Sequence, residues 1–232
     1  AFAGFEWAVP TRGKGRFWLG VHPERRGHGL GDALYGEVEE YLRARGALQL
    51  RTIVDNSPLL EQLSGYTLGQ KTFGTLSVHG HDLNLWMIKP KDFDPNKKYP
   101  LLMFQYSGPG SQSVSDSWMG GNDYWYHMLA EKGYVIACVD GRGTGFKGRD
   151  FKKSTYLTLV HLETEDQIEA GRKLSELPFI DPDRTGIWGW SFGGHMSTNC
   201  LLKGNDVFKM AIAVAPVTSW RFYDTVYTER FM

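Results

Sequence analysis

Cysteine is scarce in this chain of 232 residues: there are two, Cys138 and Cys200, each in an apolar run. Two such thiols read as buried and free, so no disulfide framework supports the fold and the core must hold it. An excess of either charge is also missing. Lys plus Arg number 26 and Asp plus Glu number 26, for a formal net charge of zero. That balance removes the electrostatic footprint expected of a nucleic-acid binder or of a protein held on an anionic membrane surface. No apolar run is long enough to cross a bilayer, no secretory leader opens the chain, and no Met stands at position 1. The start at Ala1 leads us to expect sequence upstream, and localisation cannot be read from the ends. Histidine is thin as well: seven occur, and the last is His195.

Glycine and aromatic residues are plentiful, with 28 Gly and 14% Phe, Trp and Tyr. The glycines concentrate at Gly186-Ile187-Trp188-Gly189-Trp190-Ser191-Phe192-Gly193-Gly194-His195. The apolar run ending at Trp190 reads as a short buried strand, and Met196 to Leu202 reads as a helix. Gly-x-Ser-x-Gly between a strand and a helix is the nucleophile-elbow pattern of α/β-hydrolases. A serine on so sharp a turn needs neighbours without side chains, and Gly189 and Gly193 supply them. The helix behind it aims N–H groups at the place where an oxyanion would form. A serine hydroxyl also needs a general base, and the base an orienting carboxylate. The only His after Ser191 is His195, four residues on and within the same helix, a position unsuited to that task.

The rest of the chain alternates strand and helix. Ala1 to Val9 and Arg16 to Val21 read as a hairpin. A Gly-rich stretch, Arg26-Gly27-His28-Gly29-Leu30-Gly31, leads into a helix with Leu30, Leu34, Val38 and Tyr41 or Leu42 on one face, followed by a strand from Leu48 to Val54. Thr72 to Val78 and Leu83 to Ile88 read as strands. His79-Gly80-His81-Asp82 between them reads as a hairpin turn and not as a metal site. Leu101 to Tyr106 and Tyr134 to Val139 are buried-type strands, with a helix from Tyr124 to Glu131 between them. Asp140 to Gly145 reads as a structural turn, because no helix starts directly after it. Thr164 and Gln167 have capping-box spacing for a helix that runs through Ile168, Leu174 and Leu177 and ends by Pro178. Met210 to Pro216 is another buried-type strand. Continuous apolar strands alternating with helices predict an α/β fold, a parallel sheet with helices on both faces. The last segment, from Val217, is dense in aromatics just after a strand end, where such sheets place ligand sites.

Two resemblances rest on these motifs. The loop Arg26-x-x-Gly29-x-Gly31 after a Val-x-Pro strand end resembles the acetyl-CoA pyrophosphate loop of GNAT acetyltransferases. That resemblance implies a partial GNAT-like α+β segment over about 1–55, with Arg26, Gly27, Gly29 and Gly31 contacting acetyl-CoA. Residues 56–70 form a junction. From 71 to 232, four motifs in order resemble the prolyl oligopeptidase family, in its dipeptidyl-peptidase IV branch. They are Gln105-Tyr106-Ser107-Gly108-Pro109-Gly110-Ser111-Gln112, Val139-Asp140-Gly141-Arg142-Gly143-Thr144-Gly145, Trp188-Gly189-Trp190-Ser191-Phe192-Gly193-Gly194 and Tyr223-Asp224-Thr225-Val226-Tyr227-Thr228-Glu229-Arg230.

The second resemblance implies a partial α/β-hydrolase domain and a serine peptidase that cleaves after proline through an acyl-enzyme on Ser191, with no cofactor. The Tyr106 hydroxyl and the Phe192 backbone N–H would form the oxyanion hole. Trp220, Tyr223, Tyr227 and Val217 would line the pocket for a proline or alanine side chain of a peptide. The family pattern places the catalytic Asp and His beyond Met232, so an incomplete chain, weakly active or inactive, is expected. The family also implies a homodimer for full-length members, and its bacterial relatives a periplasmic or cell-envelope setting. Two alternatives stay open: an N-acetyltransferase using acetyl-CoA, and a non-catalytic fragment or chimera.

Overall fold

A computed structural model describes residues 2–6, 14–20, 33, 36–40, 44, 49–52, 68–117 and 121–231. The chain separates into two compact units, Ala1–Thr67 and Leu68–Met232. In the first unit, β1 (Phe2–Glu6) and β2 (Lys14–Gly20) pair antiparallel, as the hairpin reading expects. Strand β3 (Gln49–Thr52) adds parallel to β2. Residues 36–40 are helical, and Val38 is buried within them. Arg26, Gly27, Gly29 and Gly31 lie outside the described residues, as does most of the junction over 56–70.

The second unit is built on a six-stranded sheet of order β4-β5-β7-β6-β8-β9. Its strands are β4 (Lys71–Val78), β5 (His81–Ile88), β6 (Tyr99–Phe104), β7 (Val135–Asp140), β8 (Ile180–Trp190) and β9 (Met210–Val214). Strands β7, β6, β8 and β9 run parallel, while the β4–β5 hairpin joins the β7 side antiparallel. The sheet is therefore mixed, with a parallel core and an antiparallel edge. The hairpin turn is two residues long, His79 at φ 47 and Gly80 at φ 77, the primed geometry whose twist suits paired strands. His81 and Asp82 belong to β5 rather than to the turn.

Side chains alternate across the sheet with the period of two that strands impose. On one face Leu101, Met103, Val135, Ala137, Val139 and Ile187 pack beneath α3 (His161–Ser175) and α4 (Phe192–Lys203), against Ala170, Leu174, Phe192, Met196 and Cys200. On the other face Leu102, Phe104, Ile136, Cys138 and Trp188 pack with Tyr126 and Ala130 of α1 (Gly121–Glu131). Helices thus cover both faces. Each fully buried Leu, Ile, Phe or Met contributes about 1.5–3 kcal/mol relative to exposure. A short helix α2 (Arg149–Lys153) precedes α3, and the described chain ends in a 3-10 turn, Trp220–Phe222, and α5 (Thr225–Phe231). No helix among the described residues is long and apolar enough to cross a membrane.

The capping-box expectation for α3 is corrected. The helix begins at His161, entered through Val160 at φ 77, so Thr164 lies inside the first turn. Its hydroxyl donates back to the Val160 carbonyl at 2.5 Å instead of capping an N–H. The Gln167 amide reaches sideways to the Val139 carbonyl at 2.8 Å and to Ser107 Oγ at 3.3 Å.

Candidate active site

Ser191 stands between the end of β8 and the start of α4, with φ 58 and ψ −115. A non-glycine residue at positive φ is strained, and surroundings that over-determine the turn must hold it there. Those surroundings are backbone. A Cβ on Gly189 would lie 2.5 Å from the Gln105 carbonyl oxygen and 2.6 Å from the Gly193 carbonyl carbon. One on Gly193 would lie 2.6 Å from the same Gln105 oxygen. The two glycines expected to leave the elbow room therefore do so, and Gly194 adds a third close approach, 2.7 Å to Val214 O. The Ser191 N–H donates to the Val214 carbonyl at 2.9 Å, which fastens the elbow to β9.

Sequence reasoning gave Gln105 no role of its own. Its fully buried amide donates to the Gly193 carbonyl at 2.7 Å and to Ser197 Oγ at 2.9 Å, tying β6 to the first turns of α4. The only signal in the sequence was a polar residue ending an apolar strand beside a turn. The next residue, Tyr106, carries its ring across Gly108, where a Cβ would fall 2.4 Å from a ring carbon. That ring lies 6.0 Å from the Phe192 ring. Phe192 is buried and opens α4, whose first-turn N–H groups have no carbonyl partner within the helix.

The loop after Tyr106 is braced from β7. The Asp140 carboxylate accepts the N–H groups of Ser113 and Val114 at 2.8–3.1 Å. Burial pushes its pKa up, while these amides pull the other way. Gly110 N–H donates to Gly143 O, and Gly145 N–H to Ser111 O, both at 2.8 Å. Arg142 grips buried Asp166 through Nε and Nη2 at 2.6–3.0 Å. The 140–145 stretch is thus a structural turn, as expected from its sequence.

Beside the first residue of α4 the aromatics converge. Trp220 and Tyr227 stack at 5.9 Å with an interplanar angle of 2°. Tyr223 meets both edge-on, at 5.8 and 5.5 Å. Phe192 lies 5.7 Å from Trp220. The Tyr227 phenol is held protonated well beyond its usual range, first by burial and then by the nearby Tyr106. Val217 is buried at the head of this segment, and Nδ1 of His195 lies 2.5 Å from its carbonyl oxygen. Burial lowers the pKa of that imidazole. The structure therefore brings Ser191, Tyr106, Phe192, Trp220, Tyr223, Tyr227 and Val217 into one neighbourhood, and His195 meets the Trp220 ring of this cluster. Among the described residues, no group of three or more His, Cys, Asp and Glu side chains could hold a metal ion.

The comparisons with known proteins agree with this geometry. Residues 123–232 match the model of the prolyl oligopeptidase family, and residues 5–61 match that of the acetyltransferase (GNAT) family. A probable dipeptidyl peptidase 4 of Aspergillus flavus is 43% identical over 196 residues, 84% of this chain and 25% of that protein. A probable dipeptidyl-aminopeptidase B of Paracoccidioides lutzii is 42% identical over 182 residues, 78% and 20% of the two chains. The crystal structure of Porphyromonas gingivalis dipeptidyl peptidase 4 superposes with a TM-score of 0.72 at 51% identity, covering 81% of this chain and 26% of that one. The chain thus spans about a quarter of the length of these relatives. With the elbow, the aromatic segment and these matches in agreement, the C-terminal unit belongs to the prolyl oligopeptidase family.

Proposed function

We propose that this chain carries the nucleophile, oxyanion site and side-chain pocket of a serine peptidase of the dipeptidyl-peptidase type, which releases dipeptides ending in proline or alanine. The observation that carries the reading is Ser191 on a left-handed strand-to-helix turn, followed by Phe192, whose ring meets both Tyr106 and the Trp220–Tyr223–Tyr227 cluster. Ser191 Oγ adds to the scissile carbonyl carbon while a general base takes its proton. The carbonyl oxygen becomes an oxyanion that accepts from the Tyr106 hydroxyl and the Phe192 N–H. The C–N bond then breaks, the amine leaves with a proton, and water hydrolyses the ester on Ser191. Each oxyanion donor is worth about 2.7–4 kcal/mol in the transition state. A rigid apolar proline ring suits a pocket walled by aromatic faces. His195 is engaged with Val217 and is not assigned as the base.

The test is intact-mass analysis after fluorophosphonate treatment, with Ser191→Ala alongside and folding checked by circular dichroism. This chain alone should take little label, and a chain extended to supply a general base should take a label that disappears in Ser191→Ala. A folded extended chain that takes no label, or a label that survives the substitution, counts against Ser191 as the nucleophile.

The match of residues 5–61 to the GNAT family favours a second reading for the N-terminal unit, namely acetyl-CoA held by Arg26, Gly27, Gly29 and Gly31. Calorimetry should detect acetyl-CoA binding that Arg26→Ala weakens; the absence of binding, or binding indifferent to the substitution, removes this reading.

A further inference from the structure

The end of β9 and the segment after it are registered to the start of α4 at three points. The Ser191 N–H holds Val214 O at 2.9 Å. Gly194 lets the same segment approach so closely that a Cβ would stand 3.1 Å from Pro216 Cα. One helical turn after Ser191, Nδ1 of His195 meets Val217 O at 2.5 Å. A carbonyl can only accept, so Nδ1 carries the proton. Between these anchors Ala215 takes φ 44, a conformation that costs energy and persists only where neighbours impose it. The His195 ring also meets Trp220 edge to face, with centroids 5.4 Å apart and planes at 65°.

Apolar contact alone would not set this register, because burial is non-directional. A hydrogen bond and an edge-to-face ring contact are both directional. Together they refer the pocket wall to the very helix that begins at Ser191. The geometry points to His195 as a positioning residue for the pocket: through the Val217 carbonyl and the Trp220 ring it fixes how far the wall stands from Ser191. The inference rests on the peptide-pocket reading above. Reaction requires the bound residue to present its carbonyl carbon about 3–3.5 Å from the attacking oxygen, so a wall that drifts by an ångström loses more than affinity.

Two substitutions separate the donor from the ring. His195→Phe keeps the ring edge and removes the donor. His195→Asn places an amide N–H near the position of Nδ1 and removes most of the ring. Hydrogen exchange of the 217–223 amides, among which Phe222 N–H donates to Ser219 O and Tyr223 N–H to Trp220 O, is measured by mass spectrometry on the full chain. Binding of an aminoacyl pyrrolidide is measured by calorimetry, since this probe carries the five-membered ring and needs no working base. In His195→Phe the amides should exchange about five- to tenfold faster and the pyrrolidide Kd should rise by a similar factor, the worth of one hydrogen bond. In His195→Asn most of the protection and affinity should return. Unchanged exchange in His195→Phe overturns the anchor. Faster exchange with unchanged pyrrolidide affinity overturns its role in the pocket. A wild-type chain with protected amides that binds no pyrrolidide overturns the peptide-pocket reading while the anchor stands.

Discussion

Helices α3 and α4 pack against each other, and each starts from a residue in a left-handed conformation, Val160 at φ 77 and Ser191 at φ 58. The residues just after the strained position differ between the two. At α4 come glycines, and the space that their side chains would fill is taken by the backbone of β6 and β9. At α3 comes Glu163, whose carboxyl is fully buried, with neither oxygen hydrogen-bonded among the described residues. The same backbone device thus presents a hydroxyl at one helix start and hides an acid at the other. Strain by itself says little about function; what the neighbouring residues leave open decides it.

The largest effect that would test this contrast comes from the glycines. In Gly193→Ala the new Cβ would fall 2.6 Å from the Gln105 carbonyl oxygen and 3.2 Å from Tyr106 Cα, both backbone atoms that cannot step aside. We expect a loss of about 4 kcal/mol or more, at the extreme of single substitutions, read as a fall in Tm or a failure to fold. Gly141→Ala is the control from the neighbouring Gly-rich loop. There the nearest atom is the Cβ of Asp166 at 3.1 Å, part of a side chain that can shift by tenths of an ångström, and the expected cost is about 1 kcal/mol. Equal damage from both would break the distinction between a backbone-filled elbow and a side-chain-filled turn.

The two helix starts also differ in how far the sequence disclosed them. The elbow was legible because glycine spacing reports a steric requirement directly: Gly189, Ser191 and Gly193 have few other reasons to occur between a strand and a helix. The start of α3 was not. Thr164-x-x-Gln167 has capping-box spacing, yet the helix has already begun at His161, because a β-branched Val160 adopts a conformation that its own propensity disfavours. Local propensity yields there to packing, with Val160 and Met196 in one apolar cluster. The strands and their alternation of faces were readable from apolar runs. That the β4–β5 hairpin joins the parallel strands as an antiparallel edge was not, since the hairpin's sequence is the same whichever neighbour it pairs with. The aromatic residues after Val217 were visible as a dense cluster. The tie between His195 and Val217 was invisible, because a backbone carbonyl leaves no mark in a sequence.

The smallest effect, and the one that sharpens the comparison most, is the pH response of Glu163. Burial pushes its carboxyl up to about 7; the backbone amides of Glu163 and Val160 and the nearby Arg142 pull it down, and Asp166 adds to the rise. Across from it, Tyr227 feels the same charge. An unfolded glutamate titrates near about 4.3, so between about 4.3 and 7 the folded chain holds a proton that the unfolded chain has released. Stability from this group is therefore fully present below the unfolded value, declines as pH rises toward about 7, and is flat above it. Asp140, raised by burial in the same direction, contributes a parallel trend. The informative quantity is the difference between wild type and Glu163→Gln, which keeps the shape and removes the titration. Urea midpoints measured from pH 4 to 8 should fall more steeply in the wild type than in the variant, and the gap should stop growing near neutrality. Parallel curves would mean that Glu163 finds a hydrogen-bond donor in solution and ionises at its ordinary value. The start of α3 would then hold a satisfied charge, and its resemblance to the elbow would reduce to the shared left-handed entry.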